Sequence, residues 1–363
     1  MKNRLNELRR GSWSMPGGKQ KLAVLEEMIG IADRYLTEED AYDTRMSYMT
    51  AALEAGCREK VLVAFAWCLS KFEKTPGDYS QHTLMWHYKW VLNEIWRMPE
   101  FGLELIERVY EDFKQKCLKF GYNLRPYYQQ KVNFTLSQGM ISEAAEFYKL
   151  WRSTPRDSLA DCKACEQNLF GEYMFKINHL KKGLQNVRPI LDGKMRCGSI
   201  PQNTYSQIIV PLLKLKDYQQ ASAIAKKAMR LLKGPQFVEE YGTFLEFFTV
   251  TDLPKAVKIY NETIRYGLES KVGWDRFHYF LSVRIFLREW NKKKRRKKLV
   301  EADRVTLDWL DHEISSITDS FNRRNGNTYM SRFVLEQEKN TNRLMKAYQE
   351  TRLTKATTDG ILF

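Results

Sequence analysis

Three cysteines carry the clearest chemical possibility in this 363-residue chain. Cys162 and Cys165 form a Cys-x-x-Cys, and Cys197 follows 32 residues later, beside Gly198. In a reducing compartment this pattern points to metal binding or redox chemistry rather than to a structural disulfide. A structural zinc site wants four ligands, and His179 is the nearest candidate for the fourth by sequence. The second Cys-x-x-Cys that would make a zinc reading specific is absent. The plainer reading is simple packing at a helix start, with no cofactor. Cys57, Cys68 and Cys117 sit singly within apolar helical patterns and read as small core residues.

Catalytic constellations are otherwise missing. The chain has no Gly-x-x-x-x-Gly-Lys-Ser/Thr, no Gly-x-Gly-x-x-Gly, no His-Glu-x-x-His and no Gly-x-Ser-x-Gly. The closest of its five histidines, His82 and His87, are five residues apart. That spacing sets them about 140° apart around a helix, too far to share a metal. A non-enzymatic protein is the expectation.

Two features suggest binding. The run Lys292, Lys293, Lys294, Arg295, Arg296, Lys297, Lys298 supplies 7 of the net charge of +15. It would suit nucleic acid, anionic lipid or an acidic partner, or it is a solvated connection between helices. The remaining +8 reads as an ordinary basic surface. The second feature is aromatic: Ser80 to Arg97 holds Trp86, Tyr88, Trp90 and Trp96. Such density marks either a buried packing helix or the lining of a groove, and aromatic and Arg side chains supply most hot-spot energy. The expected anchors for a peptide or partner protein are therefore Trp86, Tyr88, Trp90, Arg125, Tyr127 and Tyr128.

These residues must be positioned by helices. A turn signal followed by a small-residue helix starts at Phe101, Ile141, Leu184, Tyr218 and Leu253, in steps of 40, 43, 34 and 35 residues. That range predicts an all-α fold, an α-solenoid of tetratricopeptide-like (TPR-like) helix hairpins. The predicted pairs are 101–120 with 126–137, 141–152 with 166–180, 184–191 with 202–214, 218–232 with 236–248, and 253–267 with 274–290. Ala144, Ala145, Ala221, Ala225 and Ala256 would let helices approach closely. Periodicity also predicts helices near 18–36, from Thr37 to Ala55, at 58–73 and at 80–97. Two amphipathic helices over 299–351, broken at Asn322–Asn327, read as a C-terminal cap. The expected organisation is an N-terminal helical region (1–100), repeats (101–290), and a basic connection with its cap (291–363). No apolar run is long enough to span a membrane and no signal-peptide core follows Met1, so a cytoplasmic protein is expected.

Several segments resemble a group of bacterial tetratricopeptide-repeat proteins. They are Glu59–Leu69, Trp86–Val91, Gly121–Pro126, Pro155–Glu166 and Pro211–Leu215. The Pro-Arg-Asp…Asp-Cys-x-x-Cys-Glu segment is the most specific. The resemblance covers roughly residues 20–290 and implies an α-solenoid used for protein interaction, with no catalytic residue transferred. More distantly, length and helical layout are similar to peptide-responsive regulators of the Rap type, which implies a regulator that clasps a short peptide. No helix-turn-helix DNA reader is evident in residues 1–60.

Overall fold

The computed structural model describes the backbone of residues 1–293 and 298–359, and side chains up to Thr351. Among the described residues it is all-α: 17 α-helices, two short 3-10 turns at Pro76–Asp78 and Pro235–Phe237, and no strand beyond one isolated bridge. The chain forms two compact units. The first is Met1–Ala160, joined by Gly234–Phe237 and Ser270–Trp274; the second is the rest.

The first unit contains α1 (Lys2–Ser14), α2 (Lys19–Tyr35), α3 (Glu38–Glu54), α4 (Glu59–Lys74), α5 (Gln81–Ile95), α6 (Leu103–Lys119), α7 (Arg125–Ser137) and α8 (Ile141–Ser153). Helices α2 to α5 fall where periodicity predicts them, and α1 is an addition. Thr37 caps α3 by accepting the Asp40 N–H at 3.2 Å, as the Thr-Glu-Glu-Asp start suggests.

The second unit contains α9 (Lys163–Lys176), α10 (Leu180–Leu191), α11 (Gln202–Lys214), α12 (Tyr218–Leu231), α13 (Val238–Thr251), α14 (Leu253–Glu269), most of α15 (Gly273–Lys292), α16 (Leu307–Asn325) and α17 (Tyr329–Asp359). The closest helix pairs are the hairpins α9–α10, α11–α12 and α13–α14, matched in the first unit by α7–α8. The predicted pairing is therefore out of phase by one helix. The signals at Ile141, Tyr218 and Leu253 join the two arms of a hairpin instead of opening a new one, and the one at Leu184 falls inside α10.

The reason is a turn used three times. In Gln138-Gly139-Met140, Ile177-Asn178-His179 and Leu215-Lys216-Asp217 the middle residue is left-handed, with φ of 74°, 60° and 60°. In each, the third residue's N–H reaches back to a carbonyl five positions earlier: Met140 to Thr135, His179 to Met174, Asp217 to Leu212. This is the helix-ending motif that a left-handed residue permits. The second arm begins at once, at Ile141, Leu180 and Tyr218; counted with the starts of α6 at Leu103 and α14 at Leu253, the steps are 38, 39, 38 and 35 residues. The signal placed at Leu184 is corrected to Leu180, and the repeat is more regular than the sequence suggested.

Small residues bring the arms together. Ala144, Ala221, Ala225 and Ala256 are fully buried, whereas Ala145 is half-buried. In α9–α10, a methyl group on Gly171 would stand 2.3 Å from Val187, and one on Gly183 would stand 2.3 Å from the Phe175 ring. Glycine is the residue that lets these two backbones meet.

The C-terminal helices do more than shield the last hairpin. Gly326, left-handed at φ 63°, ends α16 as the Asn/Gly break predicts. Helix α17 packs on α16 and α13. Its Gln337 Nε2 donates to Glu246 Oε2 at 2.8 Å, and Thr341 donates to Oε1 of the same carboxylate. Further along, the Tyr348 ring packs edge-on against Tyr218 of α12. At 31 residues, or about 45 Å, the helix is long enough to reach two hairpins back.

Candidate metal centre and basic surface

The second unit builds the cysteine cluster from two short pieces of backbone. Cys162 is the N-cap of α9, and its Sγ accepts the Cys165 N–H at 3.3 Å. Cys165 lies on the same first turn and is half-buried. Cys197 is exposed on the connection from α10 to α11, in a two-residue turn closed by reciprocal N–H to O=C bonds between Cys197 and Ile200, both 3.2 Å. Buried Ile200 packs with Ala164 and Ile190, and Cys162, Cys165 and Met195 lie against that small core. The three Sγ atoms all fall within 4.8 Å of one another. His179 is not among them; it is exposed in the α9–α10 turn, 14 residues along α9 from Cys165. The sequence-nearest imidazole lies beyond the far end of α9, whereas Cys162 and Cys165 stand at its start.

The three thiols are electrostatically unequal. Burial pushes Cys162 up, but the Cys165 N–H, the Cys165 and Cys197 thiols and the Ala164 N–H outweigh it and leave Cys162 below the usual thiol value. Burial raises Cys165 far above that value, helped by the negative charge on Cys162, and burial also raises Cys197. A helix N-terminus beside three converging sulfurs suits soft-metal ligation and thiol chemistry alike.

Three of the six predicted partner anchors are interior. Tyr88 is buried, with its hydroxyl donating to Asp112 Oδ2 at 2.7 Å. Arg125 is buried and donates from Nη1 to the carbonyls of Trp151, at 2.9 Å, and Thr154. Tyr127 is buried beside Tyr110 and Phe147. None of these three can anchor a partner without unpacking the helices that hold it. Trp86, Trp90 and Tyr128 are half-buried: Lys89 Nζ sits 3.4 Å from the centroid of the Trp86 ring, and Trp90 packs on His87. The aromatic helix α5 is chiefly core.

Charge is where sequence reading missed a signal. Residues 161–233 hold 13 Lys and Arg against 5 Asp and Glu, a net +8. With the 7 charges of the basic run removed as well, the rest of the chain carries 39 of each sign and nets to zero. The excess is therefore concentrated in two segments, and the +8 is no diffuse surface. A windowed charge count would have found it.

Most of the first segment's cations face water. On α12, Lys226, Lys227 and Arg230 are exposed opposite the buried Ala221, Ala225 and Ala228. On α10, Lys181, Lys182 and Arg188 are exposed opposite Gly183, Val187 and Ile190. Lys216 is exposed in the α11–α12 turn. Asn178 to Lys182 and Leu215 line one shallow depression, which makes the two turns neighbours. Among the described residues, Lys181, Lys182, Lys216, Lys226, Lys227 and Arg230 have no acidic partner, while Arg188 meets Asp192 only at 3.8 Å. Of the basic run, Lys292 pairs with Glu289 at 2.5 Å, Lys298 with Asp303 at 3.4 Å, and Lys293 is exposed. Lys294, Arg295, Arg296 and Lys297 lie outside the described residues.

No family model and no curated protein matches the chain. One similar solved structure is that of the pentatricopeptide repeat protein PPR10 from maize, at 13% identity, covering 84% of this chain and 48% of that one, with a TM-score of 0.28. The chain thus spans about half the length of that protein, and at this score the superposition does not define a common fold. The likenesses to bacterial TPR proteins and to Rap-type regulators stay with the residues that suggested them. Among the described residues, no helix is long and apolar enough to cross a membrane.

Proposed function

We propose that this chain is a non-enzymatic helical-repeat scaffold, working in the cytoplasm, that binds nucleic acid through the basic faces of α10 and α12. The observation that supports it is the cation set Lys181, Lys182, Lys216, Lys226, Lys227 and Arg230, exposed and without acidic partners. Fold stability gives no reason for that set. Lys181 and Lys182 stand in the first turn of α10, where the helix dipole disfavours positive charge, and no acidic residue accompanies them. Phosphates would repay that cost, because each neutralised phosphate releases condensed counterions. Spread along two helices, such contacts would fix a strand's position rather than read its bases.

The peptide-groove reading loses support from the burial of Tyr88, Arg125 and Tyr127. Photocrosslinking of the full chain to single-stranded RNA and DNA, followed by peptide mapping, separates the two. Adducts concentrated between Lys176 and Lys233 are expected. Adducts confined to residues 1–160, or none with either nucleic acid, would overturn the assignment.

A further inference from the structure

We propose that Cys162, Cys165 and Cys197 form a zinc site, three thiolates holding one ion with water or an outside thiol at the fourth position. The proposal goes beyond nucleic-acid binding and does not rest on it. A tetrahedral zinc with bonds of about 2.3 Å sets its sulfur atoms about 3.8 Å apart. The three Sγ atoms already lie within 4.8 Å of one another, so closing on an ion asks each to move by about an ångström or less.

The backbone around them is arranged for presentation. Cys162 and Cys165 project from one helical turn, and the Cys165 N–H donates to the Cys162 sulfur. Cys197 comes from a separate turn, which the reciprocal Cys197–Ile200 bonds close and the Ile200 side chain anchors beside Ala164. Three converging sulfurs exceed what a disulfide uses, and a soft all-sulfur set selects zinc over magnesium or calcium. Exposure of Cys197 leaves water access to the fourth position. The ion would clip the Asp192–Pro201 connection to the start of α9. On ligation the cysteines release their thiol protons to the buffer and their sulfurs displace water from the ion, so that three sulfur–zinc bonds form with no change of oxidation state.

The test uses full-length protein, kept reduced with a phosphine, and zinc delivered against a chromophoric chelator. One equivalent of zinc per chain is expected. Cys165→Ser and Cys197→Ser should each lose more than the roughly 100-fold in affinity that weaker outer-shell changes cost, and Cys57→Ser should bind as the parent does. Because a serine variant could fail to fold, the parent protein is also alkylated with iodoacetamide with and without zinc. Zinc should protect Cys162, Cys165 and Cys197 and leave Cys57 labelling unchanged. No zinc uptake, unaltered labelling, iron with acid-labile sulfide, or a Cys162–Cys165 disulfide under these reducing conditions would each overturn the site.

Discussion

Cations in the first compact unit and cations in residues 161–233 do opposite work. Residues 1–160 carry 23 Lys and Arg against 21 Asp and Glu, and the conspicuous cations are interior. Lys89 donates to the Leu159 carbonyl at 2.7 Å beneath the Trp86 ring, Arg125 ties two carbonyls after α8, and Lys131 meets Glu107 at 2.9 Å. In 161–233 the cations stand on solvent faces with little opposing charge. The lesson is that side-chain type says little about role until burial is known: Arg125 resembles a hot-spot arginine and acts as a structural clamp.

The sharpest way to break the comparison is Arg125→Ala. It leaves the carbonyls of Trp151 and Thr154 without that donor, and stability should fall by about 3 kcal/mol. Urea unfolding followed by circular dichroism checks this. If stability holds and ligand binding falls instead, the clamp is misassigned. The reverse experiment is Lys226→Glu with Lys227→Glu and Arg230→Glu. Nucleic-acid affinity should drop at least 10-fold at moderate salt, about 1.4 kcal/mol, while the unfolding midpoint stays put.

A third test uses Glu246, whose carboxyl burial pushes up, against the opposing hydrogen bonds from Thr341, Gln337 and Ser282. A carboxyl raised in the native state binds its proton more tightly folded than unfolded. Its contribution to stability is therefore greatest below the usual value of 4.5 and declines as pH rises through the native value. Glu246→Gln should flatten that decline above pH 4.5, with ligand affinity unchanged. A parallel pH–stability curve in parent and variant would contradict it. The smallest effect separates folding from binding at a single residue. Lys216→Gly relieves a left-handed lysine and should stabilise by about 0.5 kcal/mol, while lowering nucleic-acid affinity two- to threefold.

Much of the architecture was legible. Apolar periodicity located α2 to α5, Thr37 and Gly326 marked real helix ends, and the small residues marked close helix approach. The hairpin phase was not legible, because Asn178 and Lys216 take the left-handed turn conformation as glycine does at 139, without a glycine to announce it. At the cysteines the trio was visible, and His179 is set apart by geometry that the predicted 166–180 helix already implies: 14 residues at about 1.5 Å each separate it from Cys165 by about 21 Å. Of the aromatic anchors, Tyr88 and Tyr127 are buried whereas Trp86, Trp90 and Tyr128 are half-buried, because aromatic density reports packing as readily as a groove. The basic face of α10 and α12 escaped because its charges, spaced at helical intervals, never form a run.

The central claim is that nucleic acid is held by the 161–233 cations. The direct measurement is the slope of log affinity against log salt concentration for single-stranded RNA, in the parent chain and in the Lys226, Lys227, Arg230 charge-reversal variant. Four to six phosphate contacts at about 0.7 each predict a parent slope near −3 to −4, and loss of three contacts predicts a variant slope shallower by about 2. A flat parent response, or two parallel slopes, would contradict the account.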